Sequence, residues 1–292
     1  MKNKTVKGVL FSLILIIGIL VGCNTPKNNE KESMVGYITL SGSTAIQPLA
    51  EKSAEKFKVK YPKSNVMVQG GGSGTGLTQV LQGNVDIGNS DIDANKKLSE
   101  EQAIQLVDNK VAVEGFAIIT SKDVSVKSLT KKELIQIFSG AKTNWKEFGG
   151  EDKKIIVVHR PASSGTRNAF VDKILDGRKQ LENDKFGIVQ DSNGNVKTTL
   201  ETTKGAISYI GLSYIKDEKS KELISVLNID NIEPNSENIA NGLYPFWSFA
   251  HMYTKGEGNE LTKEFIKYIV SEENKEVIKS LGFIPTSDIK IE

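Results

Sequence analysis

Short apolar runs in this chain repeatedly end in Ser, Thr and Gly and then give way to helical spacing. Tyr37-Ile38-Thr39-Leu40 leads into Ser41-Gly42-Ser43-Thr44. Ile46, Leu49, Ala50, Ala54 and Phe57 then fall on one helical face. Asn65-Val66-Met67-Val68 leads into the glycine-rich residues 70–76, followed by Leu77, Val80 and Leu81 and a Gly83 stop. Val85-Asp86-Ile87-Gly88 runs into Asn89-Ser90-Asp91. Ile155-Ile156-Val157-Val158 delivers His159 and Arg160. Ser163-Ser164-Gly165-Thr166 then opens a helix carrying Phe170, Val171, Ile174 and Leu175, closed by Gly177. Strands alternating with helices predict an α/β fold built on sheets flanked by helices. In open α/β sheets, ligands sit where strands end and helices begin, so these polar joints and Asp91 all fall on the ligand side.

The rest of the body fits the same plan. Ser99 with Gln102, and Thr130 with Glu133, have the spacing of capping boxes. Val111 to Thr120 is a long apolar strand, a candidate crossing from one lobe to another, and Tyr244 to Tyr253 is the candidate return. Ala206 to Ile210 and Leu223 to Leu227 are further strands, and Thr262 to Leu281 reads as two helices. No internal repeat is visible. The crossings predict a discontinuous first lobe at 35–115 and 249–292, and a second at 116–248.

A length of 292 residues with 38% hydrophobic content is enough for two cores. The formal charge is +2, but Lys2, Lys4 and Lys7 lie in a leader that has no acid. The remainder carries about −1, so no general basic field for nucleic acid exists and an anion site must be built locally. The apolar run from Val9 to Leu20 follows those lysines as in a secretion signal over residues 1–22. The alternative, a single-pass anchor, needs about 20 apolar residues. Leu20-Val21-Gly22-Cys23 resembles the lipobox of bacterial lipoproteins, with the chain's one cysteine at the lipidation position. A lone cysteine also excludes an internal disulfide. The polar residues 23–34 read as a flexible tether.

Helix N-termini carry unpaired N–H groups and a partial positive charge, which favour anions. Ser43, Thr44 and the amide of Ala45 offer donors at the first joint; ordinary helix capping is the other reading. The second joint lacks the Gly-Lys-Ser/Thr ending of a nucleotide loop, leaving Ser73 and close backbone approach for a small ligand. At the third, Arg160 places a guanidinium fork beside Ser164, Gly165 and Thr166. Arg167 either adds charge or pairs with an acid. Asp91 either caps a helix or pairs with Arg160, or, although it repels a bare anion, accepts a hydrogen bond from an anion that still carries a proton and so discriminates against sulfate. His159 and His251 have no metal-ligand spacing, and neither a metal nor a cofactor is expected. Trp145 and Trp247 read as core or hinge packing.

Together, residues 41–45, 70–76, 87–91 and Arg160 with 164–167 resemble, in order, the motifs of the phosphate-binding lipoproteins of bacterial ABC phosphate importers. The resemblance spans the mature chain. It implies a two-lobe periplasmic-binding-protein fold of type II, each lobe a central sheet flanked by helices, with the ligand in the cleft. It implies phosphate ligands at Ser43, Thr44, Ala45, Ser73, Asp91, Arg160, Ser164, Gly165 and Thr166. It also implies transport rather than catalysis, with inorganic phosphate, an ABC permease and its ATPase subunits as partners. The protein is then extracytoplasmic, tethered to the membrane at Cys23. Ala45-Ile46 departs from the Phe-Pro of some members. The rival readings are a binder of phosphite, sulfate or molybdate, a secreted hydrolase using Ser73 or Ser164, and a phosphate sensor or adhesin.

Overall fold

The computed structural model describes residues 34–290. The expected leader at 1–22, Cys23 and nearly all of the tether lie outside the described residues. Among the described residues, no helix is long and apolar enough to cross a membrane.

The chain runs β1 (Gly36–Gly42), α1 (Gln47–Lys60), β2 (Ser64–Gln69), α2 (Ser73–Gln82), β3 (Ile87–Ser90), α3 (Glu100–Ala103) and then β4 (Leu106–Ser121). After β5 (Ser128–Leu129) come α4 (Lys131–Phe138), β6 (Ile156–His159), α5 (Gly165–Lys173), β7 (Ile188–Val189), α6 (Asn193–Thr202) and β8 (Ala206–Gly211). The last elements are α7 (Glu218–Leu223), β9 (Ile224–Ile229), α8 (Ser236–Ala240), β10 (Trp247–Lys255), α9 (Glu260–Ile269) and α10 (Lys275–Ser280). The strand order is β2-β1-β3-β10-β4-β8-β6-β7, with β9 pairing β4 and β5. β1 pairs parallel with β2 and β3, and β6 pairs parallel with β7 and β8. β10 is antiparallel to both β3 and β4.

β4 joins the two halves. Its residues from Leu106 to Gly115 pair with β10, whereas Phe116 to Thr120 pair with β8. Separate cores form on either side of that change. In the first, Phe57 packs against Tyr61, Phe265 and Tyr268, with ring centroids 4.7, 5.2 and 5.5 Å apart. In the second, Phe170 lies 4.4 Å from Tyr209 and 4.5 Å from Phe138. Burying one such aromatic contributes about 1.5–3 kcal/mol. Trp145 is buried in the second core and its indole N–H donates to Gly205 O at 3.0 Å. Near the C-terminus, Ile284 packs into the second core and Lys290 N donates to Ala240 O.

Both expected capping boxes form, at Ser99/Gln102 and Thr130/Glu133. Gly83 closes α2 in the left-handed conformation, as expected. Several boundaries differ from the sequence reading: α5 ends at Lys173, ahead of the expected Gly177 stop, and β10 begins at Trp247 rather than Tyr244. β3 begins at Ile87 because the Asp86 side chain turns aside to accept from Thr39 N at 2.8 Å. β4 begins at Leu106, ahead of Val111, because its polar first half pairs along β10. α1 begins only at Gln47, with Pro48 in its first turn, where no N–H is required.

Candidate functional site

The ends of β1, β3 and β6 and the start of α5 converge where the lobes meet. Between β1 and α1, the Ser43 hydroxyl accepts the N–H groups of Ala45 and Ile46 at 3.1 and 3.4 Å. That local cap keeps residues 43–46 as a turn ahead of the helix. Thr44 Oγ1 accepts from Asn193 N and Nδ2 at 3.2 and 2.9 Å and from Arg160 Nη2 at 3.4 Å. Tyr214 OH donates to Thr44 O at 2.6 Å. Ser73 Oγ accepts Asp91 N at 2.9 Å, and Thr166 Oγ1 donates to Asp91 Oδ2 at 3.2 Å. Gly74 N donates to Ser163 O at 3.0 Å. The bonds of Thr44 with Asn193, Arg160 and Tyr214, of Asp91 with Thr166 and of Gly74 with Ser163 join one lobe to the other, so the cleft is closed.

Closure this tight depends on two glycines. A Cβ on Gly165 would lie 2.0 Å from Ser73 Oγ and 2.7 Å from Asp91 Oδ2, so no larger residue fits at the start of α5. Gly72, at φ +86°, brings the second joint against Ser163 O in a conformation that side chains disfavour.

The charged groups are almost wholly enclosed, Arg160 being 1% and Asp91 2% exposed. Arg160 Nε donates to Gln190 O and Nη2 to Asp191 O, each at 3.0 Å, which fixes the guanidinium plane. Its Nη1 is buried with no partner among the described residues, and so is Asp91 Oδ1. Burial pushes the Asp91 carboxyl upward, while the Ser43 hydroxyl, the Arg160 charge and the Thr166 hydroxyl pull it down without cancelling that rise. Burial also lowers the Arg160 pKa, but a guanidinium stays charged in proteins. The cleft therefore holds one fixed cation with a free donor, and one carboxylate with a free acceptor and heightened proton affinity.

α5 adds its N-terminus. The Ser164 hydroxyl caps it by accepting Arg167 N at 3.2 Å. The amides of Gly165 and Thr166 open the helix and have no partner within it. Arg167 turns away from the cleft: Nη1 donates to Arg160 O at 2.5 Å and to Asp184 Oδ2 at 2.6 Å, and Nη2 to Glu182 O at 3.1 Å. The question left open by the sequence is thereby resolved in favour of pairing with an acid.

The structure brings Ser43, Thr44, Ala45, Ser73, Asp91, Arg160, Ser164, Gly165 and Thr166 into this one buried region. Sequence reasoning missed Asn193, Tyr214 and the carbonyls of Gln190 and Asp191, which position Thr44 and Arg160. It also missed Glu114, a carboxyl 2% exposed on β4. Only Asn193, in a Ser-Asn-Gly helix start after β7, carried the same signal as the joints that were found. His159 does not touch the cleft; its Nδ1 faces Glu182 Oε1 at 3.0 Å, and Tyr209 OH donates to the same oxygen at 2.8 Å. His251 Nδ1 bonds Asp108 Oδ1 at 2.8 Å, and Asp93 stands 4.0 Å from its Nε2, a grouping that linear spacing did not reveal. Trp247 lies half-buried beneath Lys173 Nζ, 4.4 Å from the ring centre.

Comparison with known proteins gives a consistent picture. A profile of the PBP superfamily domain matches residues 27–273. The phosphate-binding protein PstS of Bacillus subtilis is 43% identical, covering 99% of this chain and 96% of its own length. Among solved structures, a substrate-binding protein assigned to a phosphate ABC transporter of Clostridium perfringens, crystallised with bound phosphate, is 33% identical. It superposes with a TM-score of 0.79, covering 86% of this chain and 100% of its own. An ABC-type phosphate transport receptor from Vibrio cholerae is 32% identical with a TM-score of 0.67, again covering 86% of this chain and all of its own.

Proposed function

The chain belongs to the PBP superfamily and, within it, to the PstS-type phosphate-binding proteins; from that premise and the chemistry of the cleft, we infer that it captures inorganic phosphate and delivers it to an ABC permease driven by ATPase subunits. The observation that carries this reading is the pair of buried, unpartnered atoms, Arg160 Nη1 and Asp91 Oδ1. A phosphate that retains a proton satisfies both, taking a charge-assisted bond from the guanidinium and giving its O–H to the carboxylate. Sulfate has no proton to give near neutral pH and would face Asp91 as a like charge.

The remaining donors in this reading are the Ser43, Thr44 and Ser73 hydroxyls with the Ala45 amide on one lobe, and the Ser164, Gly165 and Thr166 group on the other. Charge-assisted bonds of this kind contribute about 1.5–3 kcal/mol each, so a few suffice for tight capture. The lobes of this proposal are 35–115 with 249–292, and 116–248, with the last residues reaching across to the second core. Release requires the permease to favour the open form, because a ligand shifts the lobes only through differential affinity. The leader and Cys23 support an extracytoplasmic protein held at the membrane by lipid.

The family is one of substrate-binding proteins, not enzymes, and the local chemistry agrees. Ser73 and Ser164 are engaged with Asp91 N and Arg167 N, while both histidines are bonded to acids elsewhere. Calorimetric titration of the protein with inorganic phosphate tests the proposal. Saturable binding at one site per chain, with a change in Trp247 fluorescence as the cleft moves, is expected. No binding heat at any phosphate concentration would overturn it.

A further inference from the structure

Glu114 lies next to the point where β4 passes from one lobe to the other: Gly115 still pairs with Trp247 of β10, and Phe116 already pairs with Gly211 of β8. Both of its carboxyl oxygens are buried without a hydrogen-bond partner among the described residues. Its Oε1 presses on Gly211, where an added Cβ would approach it to 2.5 Å while lying 3.4 Å from the Ala45 Cβ. Gly211, from the second lobe, therefore lies directly against the carboxyl, with Asp91 of the first lobe and Tyr214 of the second close enough to act on it electrostatically. Part of its enclosure therefore comes from across the junction of the lobes.

No neighbour compensates a charge there. Asp91 repels one. The Tyr214 hydroxyl, whose own ionisation Glu114 opposes, donates to Thr44 O. Arg160 acts electrostatically on Asp91 and Tyr214 but not on Glu114. Of the outlying groups, Glu51 on α1 is acidic, and His251 on β10 is bonded to Asp108. A carboxyl buried without a partner is stable only as the neutral acid. Burial first, and the Asp91 charge second, accordingly hold the Glu114 carboxyl well above the usual carboxylate range. Moving Gly211 and its strand away would open the same group to water and return it towards ordinary behaviour.

We propose that closure of the lobes over phosphate drives uptake of one proton from solvent by Glu114, making capture proton-linked through a residue outside the ring of phosphate donors. This rests on the phosphate-binding reading above. The step forms one O–H bond on the Glu114 carboxylate at the expense of a solvent or buffer acid, and nothing else is made or broken. The sign follows from linkage. The closed-state pKa lies above the open-state one, so affinity is greatest at low pH, where Glu114 is protonated in both forms. Affinity then falls, by up to about tenfold per pH unit, as pH rises between the two values.

Calorimetric titrations with inorganic phosphate, at one pH in buffers of different ionisation enthalpy, count the protons taken up per phosphate bound. Phosphate contributes alike in the wild type and in Glu114→Gln, so the difference between the two reports Glu114 together with its coupling to Asp91. The variant is expected to bind phosphate with up to about one proton less taken up and a shallower alkaline decline. Equal uptake in both proteins would overturn the proposal. A second measurement needs no variant: infrared difference spectra, with and without phosphate, of wild-type protein labelled with carbon-13 at the glutamate carboxyls. A protonated glutamate carbonyl band appearing on binding supports the proposal, and its absence overturns it. Failure of the wild type to bind phosphate at all would overturn both this step and the reading on which it rests.

Discussion

The segment from the end of β6 into the first turn of α5 carries an arginine near each end, and the two are partnered in opposite ways. On its outer edge, Arg167 meets the Asp184 carboxylate as well as two carbonyls, so its charge is balanced within the protein. On its inner edge, Arg160 is gripped by neutral carbonyls and a threonine hydroxyl, with Nη1 left over. Asp91 is close enough to influence Arg160 electrostatically but does not bond it. An arginine with its own counter-ion can hold a loop in place. A fully enclosed arginine without one is stable only if an anion arrives, because removing a lone charge from water is costly. The difference separates scaffold from site more sharply than burial does, since Arg167 is itself only 12% exposed.

Substitutions at the two ends should therefore part in kind. Arg160→Ala removes the uncompensated cation and is expected to weaken phosphate binding by about 2–5 kcal/mol, on the order of 30- to 5,000-fold, without lowering the melting temperature. Calorimetry beside a thermal melt checks both halves; a variant that binds normally would place the anion elsewhere. Asp91→Asn keeps the size but loses the anionic acceptor. It is expected to lower the ratio of phosphate to sulfate affinity by about 1–3 kcal/mol, roughly 5- to 150-fold, measured by titrating both anions. Arg167→Ala should do the reverse of Arg160→Ala, costing about 1–2 kcal/mol of stability in denaturant unfolding and changing affinity less. If it abolished binding with unchanged stability, the assignment of scaffold and site would be inverted. The smallest effect belongs to Lys96→Ala, which removes the 3.1 Å bridge to Asp172 across the lobes. Both partners are exposed, so a loss of no more than about 1 kcal/mol in phosphate affinity is expected.

The parts of this arrangement that depend on neighbours in sequence were readable there. The capping boxes, the Gly83 stop and the placement of Ser43, Ser73, Asp91 and Arg160 at strand ends follow from patterns a few residues long. The parts that were not readable depend on distant pairing. Asn193 reaches Thr44 from 149 residues away, and the carbonyls that orient Arg160 come from about 30 residues downstream. The polar first half of β4 looks like a loop until β10 is laid beside it. Glu114 sits in the largely apolar second half of β4, and its lack of a hydrogen-bond partner is a property of the folded neighbourhood that no local pattern carries. Arg167 shows the same limit: its acid is 17 residues on, beyond any helical spacing.

In the proposed complex, one fixed cation and one proton-accepting carboxylate face a single oxyanion in the closed cleft. Parallel titrations of the wild-type protein with phosphate and sulfate, at neutral pH and equal ionic strength, test it most directly. Saturable phosphate binding is expected, with sulfate binding weaker by at least about fivefold, the lower range of an unpaired buried acceptor. Equal affinity for the two anions would contradict it, because Asp91 would then be accepting no proton from the ligand.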